Sequence, residues 1–135
     1  MPAPLLSPRL SREDYGALVR RVTATVSAVL PRGAVAAVIT KGDDRLLDIA
    51  GIEGRHFPCA GDGGYLGYHP PDGAWAAAHL DAMRSNGVDH LVIPATAFWW
   101  NDRYPAFASH LHEHCALLLD DRDTCVVFAL NGGCR

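Results

Sequence analysis

The chain has 135 residues, of which 49% are hydrophobic and 20% charged, with a formal charge of −3. This composition belongs to a single globular domain and not to a disordered chain. With 12 Lys and Arg against 15 Asp and Glu, there is no basic footprint for nucleic acid, and no stretch reaches the roughly 18 apolar residues of a membrane-spanning helix.

The first residues, Met1-Pro-Ala-Pro-Leu-Leu-Ser7, lack the charged head and long apolar run of a signal peptide. A cytoplasmic protein is therefore expected, with residues 1–10 an irregular arm and residues 11–135 one domain. Ser11, with Asp14 three residues on, predicts the start of a helix. Tyr15, Val19, Val22, Val26 and Val29 give that helix one apolar face, and Pro31-Arg-Gly33 ends it. Ala34 to Thr40 is an unbroken apolar run of strand length, suited to a strand covered on both faces.

Residues 41 to 71 carry no long periodic segment. Leu46, Leu47 and Ile49 form a short apolar patch, Arg55-His-Phe-Pro58 reads as a brief strand, and the glycines from Gly51 to Gly67 mark loops. Asp72 predicts the cap of a second helix with Ala76, Leu80 and Met83 inward and Gly87 at its end. His90 to Pro94 reads as a second buried strand, Tyr104 to His114 as a third helix with Phe107 and Leu111 inward. Ala116 to Asp120 and Thr124 to Leu130 outline a terminal hairpin. The order predicts an α/β fold: a three-layer α/β/α sandwich whose mostly parallel sheet carries an antiparallel C-terminal edge hairpin.

Cys59, Cys115, Cys125 and Cys134 are scattered, with no C-x-x-C pair, which argues against a disulfide framework. Cys125 reads as a buried thiol, and Cys59, near His56, as a candidate nucleophile.

If the first two strands are parallel, their carboxyl ends share one rim, where ligands of open α/β sheets bind. Lys41-Gly-Asp-Asp44 follows the first strand and Pro94-Ala-Thr-Ala-Phe-Trp-Trp100 the second. Aromatic faces beside carboxylates and imidazoles suit a polyhydroxylated ligand, whose CH face stacks on indole while polar groups bond its hydroxyls. Lys41, Tyr68, Thr96, Trp99, Trp100 and Tyr104 are the candidate ligand-binding residues. The same rim could perform acid–base chemistry, with His56 or His69 as base and Asp43 or Asp44 orienting it. Which of Trp99 and Trp100 faces outward is open at this level.

Sharper motifs are absent or incomplete. The glycines of Gly61-Asp-Gly-Gly-Tyr-Leu-Gly67 have the wrong spacing for a dinucleotide loop and run into Tyr68-His-Pro-Pro71 instead of a helix. His110 and His114 share a helix face, but no third metal ligand is evident and H-E-x-x-H is missing. No P-loop or G-x-S-x-G elbow occurs. Neither a metal nor another cofactor is expected.

The succession Ile39-Thr-Lys-Gly-Asp-Asp44, Arg55-His-Phe-Pro58, Gly67-Tyr-His-Pro70 and Pro94-Ala-Thr-Ala-Phe-Trp-Trp100, with Tyr104-Pro105, resembles a small bacterial domain found beside or within glycosyltransferases and other polysaccharide or natural-product proteins. The resemblance spans about residues 11 to 130. It implies an accessory module of sugar or natural-product biosynthesis, with motif positions Lys41, Asp43, Asp44, His56, Tyr68, His69, Thr96, Trp99 and Tyr104. Gly73 and Asn101 stand where that pattern has Ser and Leu.

Three functions follow as expectations: a binding module for a small polyhydroxylated molecule, a small cofactor-free tailoring enzyme, or an adaptor for a biosynthetic partner protein. A homodimer through the aromatic rim is compatible with the last.

Overall fold

A computed structural model describes residues 11–59 and 70–130. The arm over 1–10, the Gly61–Gly67 loop, Tyr68, His69 and Cys134 lie outside the described residues.

Helix α1 is Arg12–Val29. The Ser11 hydroxyl accepts from the Asp14 backbone N–H at 3.0 Å, satisfying one of the donors that a helix start leaves unpaired. Leu18, Val19, Val22 and Val26 are buried, whereas Val29 is 38% exposed. The apolar face thus ends one turn earlier than its periodicity suggests and includes Leu18.

Strand β1 is Val35–Val38. Where the sequence suggested mostly loop, a 3-10 turn, Asp44–Leu47, leads to a short strand β2, Asp48–Ile49, and through Gly51 into β3, Ile52–His56. Helix α2, Gly73–Ser85, is capped by the Asp72 carboxylate, which accepts from Trp75 N–H at 2.8 Å, and buries Ala76, Leu80 and Met83. Strand β4 is His90–Pro94. A 3-10 turn and two helices, α3 (Trp100–Arg103) and α4 (Pro105–His114), precede the hairpin of β5 (Ala116–Asp121) and β6 (Cys125–Ala129).

The six strands form one sheet in the order β2-β3-β1-β4-β6-β5. β1 runs parallel to β3 and β4, but the pairs β2–β3, β4–β6 and β5–β6 are antiparallel. The fold is α/β as expected, and the mostly parallel sheet is corrected to a mostly antiparallel one. Two local causes account for the difference. The chain leaves β1 through a hairpin instead of a full helical crossover, adding an antiparallel strand beside β3. At the other edge, the tight turn in which Asp121 C=O accepts from Thr124 N–H folds β6 back between β4 and β5.

Strand alternation divides the core in two. Ala37, Ile39, Leu91, Ile93, Val126 and Phe128 cluster with residues of α2, α3 and α4, whereas Ala36, Val38, Val92, Cys125 and Val127 cluster with α1. Each fully buried aliphatic side chain contributes about 1.5–3 kcal/mol through removal from water.

Candidate functional site

The three parallel strands β3, β1 and β4 end on one rim. The chain leaving β1 turns toward β3, and its Leu46 and Ile49 pack in the cluster of α1. The chain leaving β4 turns the other way, and Ala97, Trp100, Tyr104 and Phe107 pack in the opposite cluster. Neighbouring strands whose outgoing loops diverge leave a crevice between them, the position at which open α/β sheets receive ligands.

One wall of the crevice is the turn over residues 40–43. Thr40 C=O accepts from Asp43 N–H at 3.1 Å, and the two central residues have positive φ, 55° at Lys41 and 90° at Gly42. A turn of this primed type favours Gly, Asn or Asp at both positions. Lys41 is the one non-glycine residue with positive φ among the described residues.

Behind this turn lies a hydrogen-bonded chain of side chains. Thr40 Oγ1 is 2.6 Å from His56 Nδ1, and His56 Nε2 is 2.7 Å from Asp44 Oδ1. The ionised carboxylate can only accept, so Nε2 carries the proton and donates. Thr40 Oγ1 also accepts from Gly42 N–H, and toward a neutral imidazole protonated at Nε2 its hydroxyl donates to Nδ1. The exposures are unequal: the Asp44 side chain is 86% exposed and that of His56 only 7%. His56 is the buried positioning residue, with both ring nitrogens engaged, and Asp44 presents the free face to solvent.

Asp43 is separate from that chain. It accepts from the Tyr15 hydroxyl at 2.6 Å, and from the Arg45 guanidinium and backbone N–H at 3.0–3.1 Å. Partial burial pushes its carboxyl upward, but the Arg45 and Tyr15 hydrogen bonds and the Arg45 charge outweigh this and hold it below the usual carboxylate range. Burial, followed by the bond to Asp43, pushes the Tyr15 phenol well above its ordinary value. Asp43 therefore ties the turn to α1 and does not act as a pair with Asp44.

The other wall carries the aromatic residues. Lys41 is exposed, and its Nζ lies 5.5 Å from the centroid of the Trp99 ring. Partial burial lowers the Lys41 ammonium below the ordinary lysine value. Trp99 is half-buried, whereas Trp100 is 2% exposed and packs against Phe57, Tyr104 and Phe107. Trp99 is thus the outward indole. Trp100 and Tyr104, expected to bind ligand, are core residues: the Trp100 Nε1–H is buried without an acceptor among the described residues, and the Tyr104 hydroxyl donates to Pro70 C=O at 2.8 Å. Thr96 is half-buried in the 3-10 turn after β4. Tyr68 and His69 lie outside the described residues.

Away from the crevice, the imidazole nearest Cys59 along a described bond belongs to His79, which accepts from Cys59 N–H at 2.9 Å and stacks on Trp75 at 4.9 Å. His110 and His114 do share a face, with ring centroids 4.8 Å apart, beside a cavity of about 260 Å³ that also meets Asp81, Arg84 and Cys115. Among the described residues no group of three or more His, Cys, Asp or Glu could hold a metal ion. Cys125 is fully buried, and burial pushes its thiol up to about 12.

Thr40, Tyr15 and Arg45 are site residues that sequence reading does not single out. Thr40 closes an apolar run and Tyr15 sits on an apolar helix face, so both pass for core. Comparison with known proteins found no family model, no curated protein and no solved structure that matches this chain.

Proposed function

We propose that this chain is a binding module for a small polyhydroxylated molecule, seated in the crevice between the carboxyl ends of β1 and β4. The observation that carries this reading is the meeting of an outward indole and an ammonium, Trp99 and Lys41, beside a solvent-facing carboxylate, Asp44, that His56 holds in place. A sugar offers one apolar CH face for the indole and a ring of hydroxyls for the carboxylate and ammonium. The resemblance described above agrees with an accessory role in sugar or natural-product assembly. In this reading the fold is a three-layer α/β/α sandwich, which the two hydrophobic clusters support, and the strand rim is its accessible polar surface.

Calorimetric titration of the wild type with monosaccharides and sugar nucleotides tests the proposal. Binding is expected, and Trp99→Ala or Asp44→Ala should remove it while leaving circular dichroism and Tm near wild type. Binding that survives both substitutions would overturn the assignment of the crevice.

A second reading has its own support, the 2.7 Å contact of His56 with Asp44. In an enzyme built on this site Asp44, not an imidazole, is the general base, and His56 orients it. A turnover rate governed by a carboxylate and lost in Asp44→Asn would select this reading over simple binding.

A further inference from the structure

We infer that Lys41 and Trp99 form an anion subsite, so that the ligand of the crevice is a polyhydroxylated molecule bearing a phosphate or carboxylate group. The inference rests on the binding reading above and narrows the class of ligand.

The charges around the turn are unevenly satisfied. Asp43 is bonded by Arg45 and Tyr15, and Asp44 by His56. Arg45 and Arg55 hold Asp43 and Glu53 respectively. Lys41 has no carboxylate within ion-pair distance among the described residues, and its ammonium rests over the Trp99 ring instead. Among the described residues this ammonium is therefore left without an anionic acceptor, which is the place a bound anion would take.

Its placement adds weight. Lys41 occupies a left-handed position, φ 55°, that a side chain with a Cβ adopts at a cost. Gly or Asn would serve the turn better, so the turn geometry does not explain the lysine. What the lysine adds is a long arm reaching from the end of β1 across to the loop after β4. The ammonium over the indole gains a charge-assisted bond when an anion arrives. The sugar CH face then takes the position over the indole that the ammonium leaves. Asp44, on the solvent side, is left for hydroxyls.

Calorimetry on the full chain tests this with glucose, galactose and mannose, their 6-phosphates, their uronic acids and inorganic phosphate alone. The charged sugars are expected to bind at least about tenfold more tightly than their neutral parents, the factor that one charge-assisted bond supplies. Lys41→Met should erase that preference, bringing charged and neutral sugars to the same affinity, and Lys41→Arg should retain it. Phosphates against uronic acids tells which anion is taken. Equal affinity for charged and neutral sugars, or a preference that survives Lys41→Met, would overturn the anion subsite and leave the binding reading standing if Trp99→Ala still abolishes binding. Inorganic phosphate bound as tightly as a hexose phosphate would remove the sugar from the inference. No binding of any probe would overturn both proposals.

Discussion

Asp44 Oδ1 lies 2.7 Å from His56 Nε2, and of the two side chains the carboxylate is 86% exposed and the imidazole 7%. The histidine is held from behind by Thr40, so its contribution is orientation. A buried imidazole with both nitrogens engaged sets the direction of an exposed carboxylate, much as an outer-shell partner sets a metal ligand.

The two members of this pair should therefore respond differently to removal. Asp44→Ala deletes the exposed end and leaves Nε2–H to water, so the loss of stability should stay below about 1 kcal/mol. Loss of ligand binding with an unchanged urea midpoint is the expected result.

His56→Ala acts on the interior. It leaves a void beside β1 and removes the hydrogen-bond partner of the buried Thr40 hydroxyl, which together should cost about 2–4 kcal/mol. A urea midpoint lowered with little change in slope would show this, and His56→Gln should recover part of the loss.

Lys41→Gly should raise stability. Relief of the left-handed conformation is worth about 1 kcal/mol, reduced by the greater freedom of glycine in the unfolded chain. A higher Tm together with lost binding of charged ligands would identify Lys41 as a residue kept for function at the expense of stability.

Gly54→Ala probes the close approach of β3 to the preceding turn. A Cβ there would lie 2.9 Å from both the Cα and the carbonyl oxygen of Leu47. Backbone atoms on both sides must shift, at a cost of about 1–3 kcal/mol, and the displaced turn carries Asp44. Reduced Tm and weakened binding should therefore appear together.

Acid should destabilise the fold before its carboxylates titrate. Burial lowers His79, and burial outweighing the Asp89 charge lowers His90, both from an ordinary value of 6.5. Below that value the unfolded chain takes up protons that the folded one resists, so stability is full above it and falls as pH drops through the lowered values. Tm measured from pH 7.5 to 5 should decline. His79→Gln, whose side-chain oxygen can still accept from Cys59 N–H, should make the decline shallower.

Several elements were legible because their causes are local. Ser11 and Asp72 cap helices within three residues of themselves. β4 coincides with the apolar run His90–Pro94, and α4 begins at Pro105, a residue suited to the first helical turn. β3 was legible only at its end, because Ile52-Glu-Gly-Arg-His56 offers a single aliphatic residue and a glycine. It is a strand because β1 and β2 bond it on either side and because its glycine admits Leu47. The short helix α3 was missed for a similar reason: Trp100, one residue from Trp99, turns into the core through contacts with Phe57 and Phe107.

By itself, then, the sequence determined an α/β chain, its caps and its main apolar segments. Those follow from interactions a few residues long. Only the tertiary structure decided that β6 enters beside β4, that Trp99 faces out while Trp100 faces in, and that Asp44 is presented by His56 instead of the reverse. Each of these depends on partners tens of residues away, and which partner wins is settled by the packing of the whole core, where burying one indole or one imidazole outweighs any local preference.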